Sequence, residues 1–168
     1  MDFNEVVNRR YSCRGYEPRP VEEARLQRIL AAVQKAPSAC NRQPYRFLVV
    51  TQAELRASIS AVYPKPWLAQ APVIVVALGQ REQAWKRLDG TSAHVIDTVI
   101  AMEHLVLAAA NEGLATCWIC AFDQVEMHRC LALGPEWDVV AITPLGHPAD
   151  PGRGTPRKPI AEIVEFIR

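Results

Sequence analysis

Arg9–Tyr16 (RRYSCRGY) and Ala36–Phe47 (APSACNRQPYRF) are the two stretches whose reading decides what this chain is. In an extended backbone alternate side chains share a face, so Arg10, Ser12 and Arg14 project together as two guanidinium forks flanking a hydroxyl. That arrangement grips a phosphate. Asn41 and Gln43, again two apart, each offer donors and an acceptor, matching the uracil-like edge of a flavin or a nucleobase. Spacing alone leaves a second reading open, in which the arginines are solvated surface and the Pro-Ser and Asn-Arg-Gln-Pro clusters are turns.

Between the two stretches, Leu26, Ile29, Leu30 and Val33 recur at helical spacing, so Glu22–Lys35 is expected to be a helix stopped by Pro37. Before them, Asp2–Asn8 reads as a short helix capped by Asp2. Beyond them, strands are expected at Phe47–Thr51 and Val73–Leu78, with a helix at Ala53–Val62 and an irregular connection enforced by Pro64, Pro66 and Pro72. Ala93–Asn111 is apolar on nearly every face and reads as a central buried helix ending at Gly113. His94, Asp97, Glu103 and His104 on it have no metal-site spacing and read as a polar rim or a subunit contact. A strand at Thr116–Ala121, a helix at Gln124–Leu133 and a strand at Asp138–Pro144 follow. Pro148–Pro159 is a Pro-, Gly- and base-rich tail, and apolar Ile160–Ile167 needs something to dock on.

At 168 residues, 49% hydrophobic and 22% charged, the chain has room for one substantial core, and one domain over residues 1–168 is expected. A formal charge of +1 argues against a protein built to hold nucleic acid. No apolar run reaches membrane-spanning length and the start, MDFNEVVNRR, has no apolar signal core, so no membrane association and a cytoplasmic location are expected. Five cysteines, an odd number, argue for free thiols. Cys117 and Cys120 form C-x-x-C, but within an apolar run that reads as a strand, which would point them to opposite faces. There is neither G-x-G-x-x-G nor G-x-x-x-x-G-K-[ST], so neither common nucleotide-loop architecture is indicated.

The order Arg-Arg-Tyr-Ser-x-Arg, helix, Ala-Pro-Ser-x-x-Asn-x-Gln-Pro resembles the opening of the FMN-dependent nitroreductase family. Ile96–Phe122 (IDTVIAMEHLVLAAANEGLATCWICAF) resembles the long dimer-forming helix and following strand of its compact members, and Pro144–His147 (PLGH) matches a further signature. The resemblance implies an α+β fold with a central, mainly antiparallel sheet flanked by helices. It also implies a homodimer with FMN at the interface and the C-terminal segment of each chain exchanged onto its partner, which would account for Ile160–Ile167.

For the site, the resemblance implies that Arg10, Ser12 and Arg14 bind the phosphate and ribityl side, with Arg14 also near the pyrimidine edge. Asn41 and Gln43 would face the isoalloxazine, and Trp118, Ile119, Cys120 and Ala121 would lie along the ring with a backbone N–H near flavin N5. Relatives often carry glycine where this chain has Cys120. Arg157 and Lys158 occupy the place of another phosphate-binding cation, and Tyr11, Pro37, Ser38 and Gly146 complete the implied contacts. No dedicated catalytic side chain and no metal are implied, because the cofactor carries the chemistry.

The activity implied is ping-pong reduction of nitroaromatic, quinone or similar electron-poor small molecules, with NAD(P)H as reductant. Two alternatives stand beside it: another FMN reaction on the same scaffold, such as dehalogenation or flavin fragmentation, and a flavin-binding or thiol-redox protein without NAD(P)H turnover. Larger relatives insert a helical excursion before the long helix, whereas here only Gly79–Thr91 (GQREQAWKRLDGT) fills that interval. Trp67, Trp85 and Lys86 either line an abbreviated pocket or pack.

Overall fold

The computed structural model describes residues 1–152 and 154–168; Arg153, inside the Pro148–Pro159 tail, lies outside them. Its centre is an antiparallel sheet in the order β1-β2-β4-β3, formed by Tyr45–Val50 (β1), Val73–Gln80 (β2), Trp137–Gly146 (β4) and the two-residue Ala115–Thr116 (β3). β2 is buried on both faces, as its unbroken VIVVAL run requires. Val73 and Val75 point into a core shared with Leu26, Ile29 and Val33 of α2 (Glu23–Gln34) and Ala101, Leu105 and Ala109 of α5 (His94–Asn111). Ile74, Val76 and Leu78 point the other way, against Ile59 of α3 (Ala53–Val62), Leu68 of α4 (Pro66–Gln70) and Met127 of α6 (Gln124–Cys130). Period-two alternation in one strand therefore builds both layers.

The expected helix at the start is α1 (Phe3–Arg9), closed by a reciprocal cap in which Asp2 Oδ1 accepts the Glu5 N–H and Glu5 Oε2 accepts the Asp2 N–H, both at 2.9 Å. Three expectations need correction. Pro66 does not enforce an irregular connection but opens α4, because proline at a helix's first position loses no hydrogen bond. The strand expected over Thr116–Ala121 leaves the ladder after Thr116: the Cys117 N–H donates to Thr143 Oγ1 (3.0 Å), and only Ile119 rejoins, exchanging both backbone bonds with Ile142 at 3.0 Å. The stretch of residues 81–91 that links β2 to α5 forms no helix. It is a turn closed by a Lys86–Ser92 bridge, with Leu88 fully exposed near its tip.

The third correction concerns α5, which is not buried all round. Residues 95, 96, 99, 100, 103, 104, 107 and 108 form a continuous face that is only partly covered, and Val95, Ile96 and Val99 on it are exposed. Nor are its polar residues a rim. His94 is buried, with Nε2 2.8 Å from Asp138 Oδ2 and Nδ1 3.0 Å from Ser92 Oγ, and His104 Nδ1 reaches the Ala32 carbonyl at 3.1 Å. Among the described residues no helix is long and apolar enough to cross a membrane.

Candidate active site

The Arg-rich segment lies beside β3. Ser12 bridges Thr116, and the Cys13 N–H donates to the Thr116 carbonyl at 2.9 Å. This holds residues 10–14 extended and sets the alternation. Tyr11 and Cys13 turn inward: Cys13 is fully buried, and the Tyr11 hydroxyl lies 3.7 Å from its sulfur while donating to the Asp150 carbonyl at 2.6 Å. Arg10, Ser12 and Arg14 all lie near enough to the buried Cys117 to act on its thiol. Burial pushes that thiol up, while the charges of Arg14 and Arg10 and a hydrogen bond from Ser12 pull against the rise. Burial also holds the Tyr11 and Tyr16 hydroxyls well above the usual tyrosine range, so both remain donors.

Tyr11, Ser12 and Arg14 line a cleft of about 470 Å³ whose other wall is Asp150–Gly152 and Thr155. Arg10 and Arg157 line an adjoining cleft of about 650 Å³ that shares Tyr11, Asp150 and Gly152. Among the described residues neither Arg10 nor Arg14 is paired with a carboxylate, and the Asp150 carboxylate is turned to the Gly152 N–H at 2.7 Å. Gly152 takes φ 74°, and a Cβ there would meet the Tyr11 ring at 2.9 Å, so only glycine lets the tail turn flat against that ring.

The amide pair sits on a strained loop. Cys40, Asn41 and Gln43 all adopt left-handed backbone (φ 50°, 52° and 49°), which is costly for residues with a Cβ. Ser38 holds the loop from within, its Oγ accepting the Gln43 N–H and its carbonyl the Asn41 N–H, each at 2.9 Å. From outside, Asp97 Oδ1 on α5 accepts the Ala39 N–H at 2.9 Å. The result places the two amides side by side, with Gln43 Nε2 donating to Asn41 Oδ1 at 3.0 Å while both residues stay exposed. Pro37, also exposed, leads into the loop from the end of α2.

Trp118 packs by Ala77, Met102 and Ala141, and its indole N–H donates to Glu103 Oε2 on α5 at 3.2 Å. The Ile119 N–H is spent on Ile142, whereas the N–H groups of Cys120 and Ala121 have no acceptor among the described residues. Cys117 is buried and Cys120 exposed, so the two thiols face apart. Gly146 is not brought to either cleft: a Cβ there would meet Pro72 Cδ at 2.7 Å and Tyr16 Cδ1 at 3.2 Å, so it serves close packing. Lys158 is exposed and lines neither cleft. Trp67 stands edge-on to Tyr63 (6.0 Å), and Lys86 pairs with Glu82 at 2.9 Å.

The Arg-rich edge and the amide loop do not meet within one chain. The loop is tied to Asp97 near the start of α5 and the Arg-rich segment to Thr116 just past its end, about 20 Å apart at 1.5 Å per helical residue. The described clefts at the Arg-rich edge have no wall from Asn41 or Gln43. Each chain thus holds the Arg-rich edge and the amide loop apart.

A profile described as the nitroreductase family matches residues 7–63 and 59–147, the span that includes the Arg-rich edge, the amide loop and the sheet. The chain belongs to the nitroreductase family. It is similar to a nitroreductase family protein from Clostridium novyi NT at 35% identity, covering 89% of this chain and 87% of that one with TM-score 0.84. A nitroreductase family protein from Clostridium difficile 630 matches at 31% identity over 99% and 98% of the two chains, with TM-score 0.87. A Bacillus subtilis protein named FMN reductase [NAD(P)H] is 29% identical over 94% of this chain and 71% of its own. Other relatives bear names as different as 5,6-dimethylbenzimidazole synthase, from Rhodobacter capsulatus, and iodotyrosine deiodinase, from Thermotoga neapolitana. Nitroreductase-family members are typically FMN-binding and typically homodimeric.

The structure gives Asp97 and Glu103 partners that reading them as a rim or subunit contact did not supply, and adds Arg42. Asp97 and Glu103 hold the amide loop and Trp118 from one helix, and Arg42 Nη1 reaches the Gln83 and Ala84 carbonyls at 3.4 and 3.3 Å. The available signal was a pair of acidic residues in an otherwise apolar helix, which burial would oblige to find partners.

Proposed function

We propose that the protein is a homodimeric, FMN-dependent NAD(P)H oxidoreductase that reduces electron-poor acceptors such as nitroaromatics and quinones. The observation that carries this reading is the edge formed by Arg10, Ser12 and Arg14: two arginines with no carboxylate partner among the described residues and a hydroxyl between them, walling two adjoining clefts. Such an edge fits a phosphate, and the amide loop fits a heterocycle's polar rim. The FMN reductase name of a relative supports the combination.

Two-fold pairing supports completion of the site. If two copies meet antiparallel along the open face of α5, the start of one helix lies beside the end of the other. The amide loop of one copy then faces the Arg-rich edge of its partner. Val95, Ile96 and Val99 supply an apolar contact, and Ile160, Ile163, Val164, Phe166 and Ile167, all exposed in one chain, gain cover on a second.

When bound, FMN supplies two-electron chemistry, taking reducing equivalents from NAD(P)H and giving them to the acceptor. The chain's own residues bind and orient. Arg10, Ser12 and Arg14 hold the phosphate and ribityl side, with Arg157 adding charge at the cleft. Arg14 stabilises negative charge that accumulates on the heterocycle, and Asn41 and Gln43 read its polar edge. The Trp118, Cys120 and Ala121 backbone N–H groups are the donors left to the segment beside the ring among the described residues. A C-x-x-C redox reading loses support, because burial pushes both the Cys117 and the Cys120 thiol up, opposite to the lowering that makes a reactive thiolate.

The test is anaerobic addition of NADH or NADPH to FMN-loaded protein, followed by a nitroaromatic or quinone. Loss of the oxidised flavin spectrum and its recovery with the acceptor are expected. A flavin spectrum indifferent to both nucleotides would leave a flavin-binding protein without turnover.

A further inference from the structure

Asp97 is a buried acid that the proposed chemistry does not use. It lies on α5 at 2% exposure, its Oδ1 accepts the Ala39 N–H at 2.9 Å, and its Oδ2 is buried with no partner among the described residues. Buried polar atoms without partners are rare and destabilising, so this one persists for what the other oxygen holds in place.

What it holds is the loop with left-handed Cys40, Asn41 and Gln43. Such a loop keeps its shape only where its surroundings over-determine it. The Ser38 bonds are internal to the loop, and the Arg42 bonds to Gln83 and Ala84 are long, at 3.4 and 3.3 Å. Among the described residues, the Ala39–Asp97 bond is the one hydrogen bond under 3.0 Å that ties residues 38–43 to a distant element. It fastens the loop to α5, the element with the open face. The position of the amides relative to that face is therefore set by this carboxyl group.

We propose that Asp97 is a positioning residue that locks the 38–43 loop in the shape presenting Asn41 and Gln43 to the flavin ring held by a second copy. The inference rests on the FMN reading given above. Asp97 does not touch the ligand; it acts through the Ala39 N–H and the backbone between Ser38 and Gln43.

The experiment compares wild type, Asp97→Ala and Asp97→Asn by two readouts: backbone amide exchange in the FMN-free protein, and FMN affinity by fluorescence titration. Asparagine keeps an oxygen for the Ala39 N–H and alanine does not. Expected are a protected Ala39 amide in wild type, faster exchange across 39–43 in Asp97→Ala, and FMN affinity weakened about tenfold or more in that variant, with Asp97→Asn within about threefold of wild type on both. Wild-type affinity in Asp97→Ala overturns the proposal. So does an Ala39 amide that exchanges freely in wild type, a measurement that stands even where the alanine variant fails to fold. An asparagine variant that keeps Ala39 protected yet loses FMN tenfold would assign the effect to charge and overturn positioning. Wild-type protein that takes up no FMN is a different failure, that of the FMN reading itself.

Discussion

The Trp118 indole N–H donates to Glu103 Oε2 across 3.2 Å, joining the segment after β3 to the partly open face of α5. The bond fixes the plane of a half-buried ring beside the C-x-x-C segment, so the backbone from Trp118 to Ala121 is set partly by a helix side chain. Trp118→Phe keeps most of the packing and deletes the donor, and is expected to cost about 1 kcal/mol in urea unfolding. Glu103→Gln, which still offers an acceptor, should cost less; equal losses would mean that the bond is not what holds the ring.

Arg10→Ala with Arg14→Ala removes both guanidinium groups from the phosphate edge. FMN affinity should fall at least about a hundredfold, while the FMN-free protein melts near the wild-type temperature because neither arginine makes an ion pair among the described residues. Half-sites shared between copies make a second prediction. Mixing this variant with an Asn41→Ala, Gln43→Ala variant should restore one intact site in each mixed dimer, measured as recovered FMN binding; no recovery would place the whole site in one chain.

Gly146→Ala tests packing against ligand contact. Its Cβ would stand 2.7 Å from Pro72 Cδ, and the overpacking should destabilise the FMN-free chain by about 1–3 kcal/mol in chemical denaturation. Unchanged stability with lost FMN affinity would instead return Gly146 to the binding surface.

The layered α+β order was legible in the sequence because β2 and the helix faces follow clean periods: Ile74, Val76 and Leu78 against Val73 and Val75, and Leu26, Ile29 and Val33 on α2. Two-residue β3 was not, since an apolar run such as ATCWICAF reads as a strand whether or not its backbone finds a ladder, and here Thr143 Oγ1 takes the Cys117 N–H instead. At the site, the alternation of Arg10, Ser12 and Arg14 could be read from spacing. The left-handed backbone of Cys40, Asn41 and Gln43 could not, because one of the bonds that hold the loop comes from a carboxyl group 58 residues away from Ala39. The open stripe on α5 was hidden for a similar reason: apolar residues look alike whether they face a core or a second copy.

Alkaline pH should unfold the protein ahead of what its surface charges dictate. Burial raises the Cys117 thiol and the Tyr11 and Tyr16 hydroxyls in the folded state. A raised acid group contributes its full share of stability below the unfolded value, and that share is lost as pH climbs from there toward the folded value. Melting temperature should therefore fall once pH passes about 8.5, where unfolded thiols ionise, and more steeply above about 10, where unfolded tyrosines do. A melting temperature flat to pH 11 would contradict the burial of these groups.

The central claim is that two copies of this chain together hold FMN. Its most direct test is to saturate purified protein with FMN, remove the excess, and determine bound flavin per chain together with the mass of the complex in solution. One FMN per chain in a particle of two chains is expected. A protein that remains colourless after exposure to FMN, or a monomer that retains one FMN at full affinity, would contradict it.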